Sequence, residues 1–164
     1  MFDMHLHLYA FNLDFCERLC ADIDDAVLWT PAAPGVHAPG WILGHLAIST
    51  DFAAGCAGLE RACPASWHRA FGPVGPRGLG VKLEPRASKA ELLEALRAGH
   101  VRVDPAVRGV DAASVAGPHG AAALRGTSLT TVRDALSHLL TTHEALHLGQ
   151  LTMCRRLIGL PALM

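Results

Sequence analysis

The sequence predicts an all-α fold. Apolar residues recur at three- and four-residue steps in four windows, proline- and glycine-rich stretches divide those windows, and no run reads as a convincing strand. With 164 residues, a single domain spanning 1–164 can bury its core without disulfides or a structural metal.

The first window places Met4, Leu8, Phe11, Phe15, Leu19 and Ile23 on one stripe, an amphipathic helix ending near Leu28, before Thr30-Pro31. Cys16 and Cys20 fall beside that stripe and read as small structural residues. The stretch 31–40 is a loop rich in proline and glycine. After it, Trp41, His45, Ser49, Phe52, Cys56 and Leu59 share one helical face, which puts His45 on the buried side. From Arg61 to about Arg86 the residues Pro64, Gly72, Pro73, Gly75, Pro76, Gly78, Gly80 and Pro85 argue against regular structure. A connection that long is a crossover, here carrying Trp67, His68 and Phe71 over the site.

Ser88-Lys89-Ala90-Glu91 has the form of a capping box and opens a third helix, with Leu92, Leu93, Leu96 and Val103 inward and Asp104-Pro105 ending or kinking it. The fourth helix starts near Thr127 or Ser128 and runs to about Ile158, stopped by Gly159 and Pro161. With His143 as the origin, Val132, Leu136, Leu139, His147, Gln150 and Cys154 fall on one stripe, whereas His138 points far from it.

Charge and cysteine usage exclude several functions. The net charge is −1, from 14 basic and 15 acidic residues, and apart from Arg155-Arg156, read as a solvated helix end, the basic residues are scattered. Nucleic acid and anionic membrane are therefore poor partners. Five cysteines at irregular spacing form neither a disulfide framework nor a Cys-x-x-Cys motif, which fits the cytoplasm. The first residues lack the basic and apolar regions of a signal peptide, and the most apolar windows carry histidine or acidic residues, so no membrane span is expected.

His143 and His147 stand four apart, so in a helix both imidazoles reach one ion from the same face. His45, on the apolar face of the second helix, is the candidate third ligand. With ten histidines in the chain, a hydrogen-bonded core histidine is the competing reading of each. Three imidazoles in one core would leave nitrogens unpaired, and a cation satisfies all three. Three neutral imidazoles suit zinc, nickel, iron(II) or copper, with availability favouring zinc, and they leave a position open for water or substrate. The reactions that follow are hydrolysis and thiol transfer. Asn12 and Gln150 lie on core-facing stripes and are candidates to orient an imidazole, although a buried amide bonded to backbone is an equal reading for each. Glu144, about 100° from His143, faces a neighbouring helix or solvent rather than the ion. His5, His7, His37, His68, His100, His119 and His138 read as solvated side chains, with His37 and His68 near enough in the pattern to line the mouth.

The segments Gly40-Trp41-Ile42-Leu43-Gly44-His45-Leu46 and His143-Glu144-Ala145-Leu146-His147-Leu148-Gly149-Gln150-Leu151 together resemble the DinB/YfiT-like metal-binding superfamily, and Trp67 to Pro73 is similar to a loop its members carry. The resemblance implies an up-down-down-up four-helix bundle with the 61–87 connection as its crossover, a homodimer, and a divalent metal held by His45, His143 and His147. It also implies an enzyme class that includes S-transferases using low-molecular-weight thiols such as bacillithiol or mycothiol, a thiol-dependent isomerase and hydrolases. Leu146 and Leu148 depart from many members, which have a further histidine and an arginine there. The expectation is a metal-dependent enzyme activating a thiol or water against a small electrophile, thiol transfer being slightly favoured. The alternative is a non-catalytic metal-binding bundle of the stress response.

Overall fold

The computed structural model describes residues 1–72 and 86–163. Its helices are α1 (Asp3–Cys20), α2 (Pro39–Cys56), α3 (Ala65–Phe71), α4 (Lys89–Gly109), α5 (Val132–His138) and α6 (Glu144–Leu157). A 3₁₀ turn covers Ala122–Leu124, and a π-helical turn, Leu139–His143, joins α5 to α6 in one continuous column. Among the described residues the only bridge of extended backbone is Pro118 with Thr131. The fold is an all-helical bundle in which α2 packs on α4 and on the α5–α6 column, while α1 packs on α4 and on that column.

Two apolar clusters fill it. One collects Phe15, Leu19, Ile42, Leu43, Leu46, Phe71, Leu92, Leu96 and Leu151. The other collects Phe2, Leu6, Tyr9, Ala53, Val103, Val107, Leu136 and Leu140. At the level between them each long element turns polar: Asn12 on α1, Ser49, Thr50 and Asp51 on α2, His100 on α4, and Glu144 with His147 on the column, all buried. Gly99 makes room at this level, because a Cβ there would stand 2.1 Å from Thr50 Oγ1. Close approach of α2 and α4 therefore demands a glycine.

The elements follow their local signals with instructive exceptions. Ser88 caps α4 through Glu91 in a reciprocal box, as its spacing predicts. That helix does not end at Asp104-Pro105 but runs on to Gly109. Pro105 lies on the exposed side, so the carbonyl that its missing N–H leaves free can bond to water. Helix α1 stops at Cys20, well before Leu28, since hydrogen-bonded turns follow and the Asp24 carboxylate captures the Ala26 N–H at 2.8 Å. Its phase also differs: Met4, Leu8 and Phe11 are exposed, while Leu6, Tyr9, Cys16 and Cys20 join Phe15 and Leu19 in the core. Both sets recur at helical steps, and packing against α4 and α6 selects the second. On α2, which is buried nearly all round, Phe52 faces outward.

Irregular structure was expected from Arg61 to Arg86, yet Pro64 starts the short helix α3 and Gly72 ends it. The loop reading of Pro73, Gly75, Pro76, Gly78, Gly80 and Pro85 lies outside the described residues. The fourth helix begins later than expected, at Val132, where Thr131 and Asp134 form a capping box. Arg155 is no solvated helix end: it is fully buried, paired with Asp22 and bonded to the carbonyls of Leu19 (2.7 Å) and Pro161 (3.1 Å). It ties the end of α6 to the end of α1. No helix of the described chain is long and apolar enough to cross a membrane.

Candidate metal centre

His45, His143 and His147 converge, each offering a ring nitrogen within 4.8 Å of the other two. Their ring centroids are 5.1 Å (His45–His143), 4.5 Å (His45–His147) and 4.7 Å (His143–His147) apart. Imidazoles sharing one tetrahedral ion at about 2.0–2.1 Å have centroids roughly 5 Å apart, so the spacing suits a common ion. Among the described residues this is the one such group of three metal-ligating side chains.

Each imidazole is aimed by its neighbours. His45 sits one residue after Gly44, where a Cβ would meet the Phe71 ring at 2.4 Å; its absence lets α3 end flush on α2. The last carbonyls of α3 have no partner within their helix, and they accept from α2 instead: Ala70 O from Trp41 Nε1 (3.2 Å) and Phe71 O from His45 Nδ1 (2.7 Å). With its Nδ1 proton so engaged, His45 presents an Nε2 lone pair. His147 Nδ1 bonds Gln150 Oε1 at 2.8 Å, which likewise leaves Nε2 as the free acceptor. His143 Nε2 faces His45 Nε2 at 3.2 Å, and His143 Nδ1 is buried without a partner. A proton shared between the two Nε2 atoms leaves Nδ1 of His143 unsatisfied, and the other tautomer leaves two lone pairs opposed. A cation between the Nε2 atoms takes up both lone pairs and removes their opposition, so these residues fit a divalent metal, while Nδ1 of His143 stays without a protein partner.

Burial keeps all three neutral. It pushes His143 down to about 3, with the neighbouring His147 and His45 adding to the effect. Burial and His45 push His147 down to about 4. His45 is also lowered by burial, against the opposing hydrogen bond to Phe71 O. Neutral imidazoles are the form that ligates metal.

The remaining histidines do not all conform to the solvated reading. His37 stacks on Trp41 (centroids 3.7 Å), which in turn stacks on His45 (5.0 Å), so an aromatic column reaches from the 31–40 loop to the triad. His68 bonds the buried Asp51 at 2.8 Å. His100 is buried, stacked on Tyr9 (3.5 Å) and bonded to Glu144 Oε1 at 2.9 Å. His138 lies with its ring 5.5 Å from that of His143, where a straight helix would turn it about 140° away. The π-turn brings residues five apart into register and is the reason. A π-turn leaves no signal in apolar periodicity.

Asn12 is hydrogen-bonded to no imidazole. Its Nδ2 donates to Thr141 O in the π-turn at 3.4 Å, so it serves the backbone that carries His143. Glu144 faces the neighbouring helix α4 through His100, as its helical angle predicts. The string His-Glu-x-x-His from His143 to His147 therefore does not turn its carboxylate toward the three imidazoles, as such strings do in zinc proteases. An open groove of about 460 Å³ lies elsewhere, on the outer α1–α6 face, lined by Phe11, Phe15, Leu148, Met153 and Arg156 and by none of the three histidines.

A family model described as the DinB superfamily matches residues 11–151, a span that contains all three histidines. No curated protein matches the chain.

Proposed function

Since this chain belongs to the DinB superfamily, we propose that His45, His143 and His147 hold a divalent transition metal, zinc by availability with nickel or iron(II) as the other candidates, in an enzyme that transfers a low-molecular-weight thiol to a small electrophile. The observation that carries the reading is the convergence of three imidazole nitrogens within 4.8 Å, with Nε2 of His143 set against Nε2 of His45 at 3.2 Å. Such an ion supplies a Lewis acid that lowers the pKa of a thiol or water at the remaining position.

The surroundings favour thiol transfer over hydrolysis. Water attack in comparable sites recruits a carboxylate as base, and the carboxylate next in sequence, Glu144, is engaged with His100. A thiol near its own pKa makes no such demand, because its sulfur is already a strong nucleophile once deprotonated. Phe71 O and Gln150 Oε1 hold two imidazoles in the ligating tautomer, and Trp41 with His37 walls one side against water. The same absence of a base also favours a second reading, a non-catalytic metal-binding bundle of the stress response.

We further propose a single cytoplasmic domain spanning 1–164, an up-down-down-up four-helix topology, and a homodimer in which a second copy covers the α1–α6 face, where Leu8, Phe11, Met153 and Leu157 are exposed. Phe11→Glu should convert that dimer to monomer in light scattering. The enzymatic reading is tested by loading metal-free protein with zinc, nickel or iron(II) and following consumption of a thiol with an electrophilic aryl halide. Rates well above the uncatalysed reaction, lost in His143→Ala, support transfer. Full metal binding without acceleration for any thiol or ester offered supports the non-catalytic bundle.

A further inference from the structure

We infer that His138 is a fourth ligand, an imidazole at the rim of the triad that closes the coordination shell of the ion when no substrate donor is present; this rests on the proposed metal site and specifies how it is completed. The π-turn is the first support. His138 and His143 stand five positions apart, and only the wider turn over Leu139–His143 lays one ring against the other. Their centroids are 5.5 Å apart at 73°, close to the roughly 5 Å and steep angles found within the triad and expected of imidazoles on one ion. Rings His45 and His147 are not in aromatic contact with His138, so its side chain must turn inward about its own torsions to complete the shell.

The second support is the tautomer. Thr142 Oγ1 lies 2.7 Å from His138 Nδ1 and can accept its proton, the tautomer that a metal on Nε2 would select. In that tautomer the Nε2 lone pair of His138 is available, the same nitrogen that His45 and His147 present. His138 is half-buried and rides on α5, upstream of the turn, so it can move without shifting His143 or His147. Binding of an external donor then means displacing His138, which would make the site selective for donors stronger than an imidazole, thiolates above all.

Cobalt(II) titrated into metal-free protein tests this, with wild type, His138→Ala and His143→Ala compared by visible absorption and by competition against a chromophoric chelator. The expected result is one equivalent bound by wild type and by His138→Ala, with affinity at least tenfold weaker in His138→Ala, an altered visible band, and restoration of both by added imidazole. Identical affinity and band in the two proteins would overturn the inference while leaving the triad in place. No cobalt bound by wild type would overturn the triad and the fourth ligand together, and unchanged circular dichroism of His138→Ala would exclude misfolding as the cause of any difference.

Discussion

Two of the polar clusters in the apolar interior of this bundle differ in how their hydrogen bonds close. Around Asp51, one oxygen accepts from Ala62 N (2.8 Å), the other from Cys63 N (2.8 Å) and His68 Nε2 (2.8 Å), and Arg102 stands 3.5 Å away. Burial pushes that carboxyl up, yet the two amides and His68 outweigh it and hold it below the usual range. In the triad, two Nε2 atoms face each other and the Nδ1 of His143 has no partner. The Asp51 carboxylate is fully paired and clasps α3 on α2, although Nδ1 of His68 has no partner; in the triad the two facing Nε2 atoms form a frustrated cluster that asks for a ligand. Single unpartnered atoms occur in both clusters and elsewhere in the interior; three imidazoles converging on one point occur in the triad alone among the described residues.

The contrast breaks first on stability. Asp51→Ala leaves two amides and an imidazole unpaired and should cost about 2–4 kcal/mol in urea unfolding, whereas His143→Ala in chelator should cost about 1 kcal/mol or less. Equal losses would erase the distinction.

Acid separates the clusters next. His143 and His147 resist protonation in the folded protein and accept it when unfolded, so the unfolded state binds more protons as pH falls from about 6.5 toward 4. Metal-free protein should lose on the order of 2 kcal/mol per such histidine between pH 7.5 and 5. The Asp51 contribution, with a depressed carboxyl, should survive that range and be lost only as pH drops through its lowered value, below 3.8. Urea midpoints at several pH values for wild type, His143→Ala and Asp51→Asn read both windows. A wild-type midpoint unchanged from pH 7.5 to 5 would contradict the buried neutral triad.

A smaller effect sharpens the picture of the triad itself. Gln150→Ala frees His147 to rotate and should weaken zinc binding about tenfold in chelator competition, with little change in urea midpoint. The smallest effect belongs to neither cluster: Thr131→Ala removes the cap of α5 and should cost about 1 kcal/mol with zinc affinity unchanged.

Much of this was legible in the sequence, and the gaps have physical causes. The helical class, the α4 cap and the pairing of His143 with His147 follow from spacing and local chemistry alone. The phase of α1 did not, because Met4-Leu8-Phe11 and Leu6-Tyr9-Cys16 are equally periodic and only packing chooses between them. Acceptors on backbone leave no trace in side-chain patterns, so Phe71 O behind His45 was invisible. The proximity of His138 was hidden by the π-turn, and that of Asp51 by the apolar run around it, although three successive polar residues, Ser49 to Asp51, in a helix buried nearly all round were a readable signal. Gln150 and Asn12 each had two readings in the sequence, and the partners divide them: Gln150 meets an imidazole three residues away on its own helix, whereas Asn12 meets backbone at Thr141 O, which spacing along the chain does not indicate.

The central claim is that the frustrated cluster is a metal site. Elemental analysis of protein purified without an affinity tag, wild type beside His143→Ala, tests it most directly: about one equivalent of a transition metal in wild type and none in the variant is the expected result. No metal in wild type, even after incubation with zinc, nickel or iron(II), would contradict it and make the three histidines core residues.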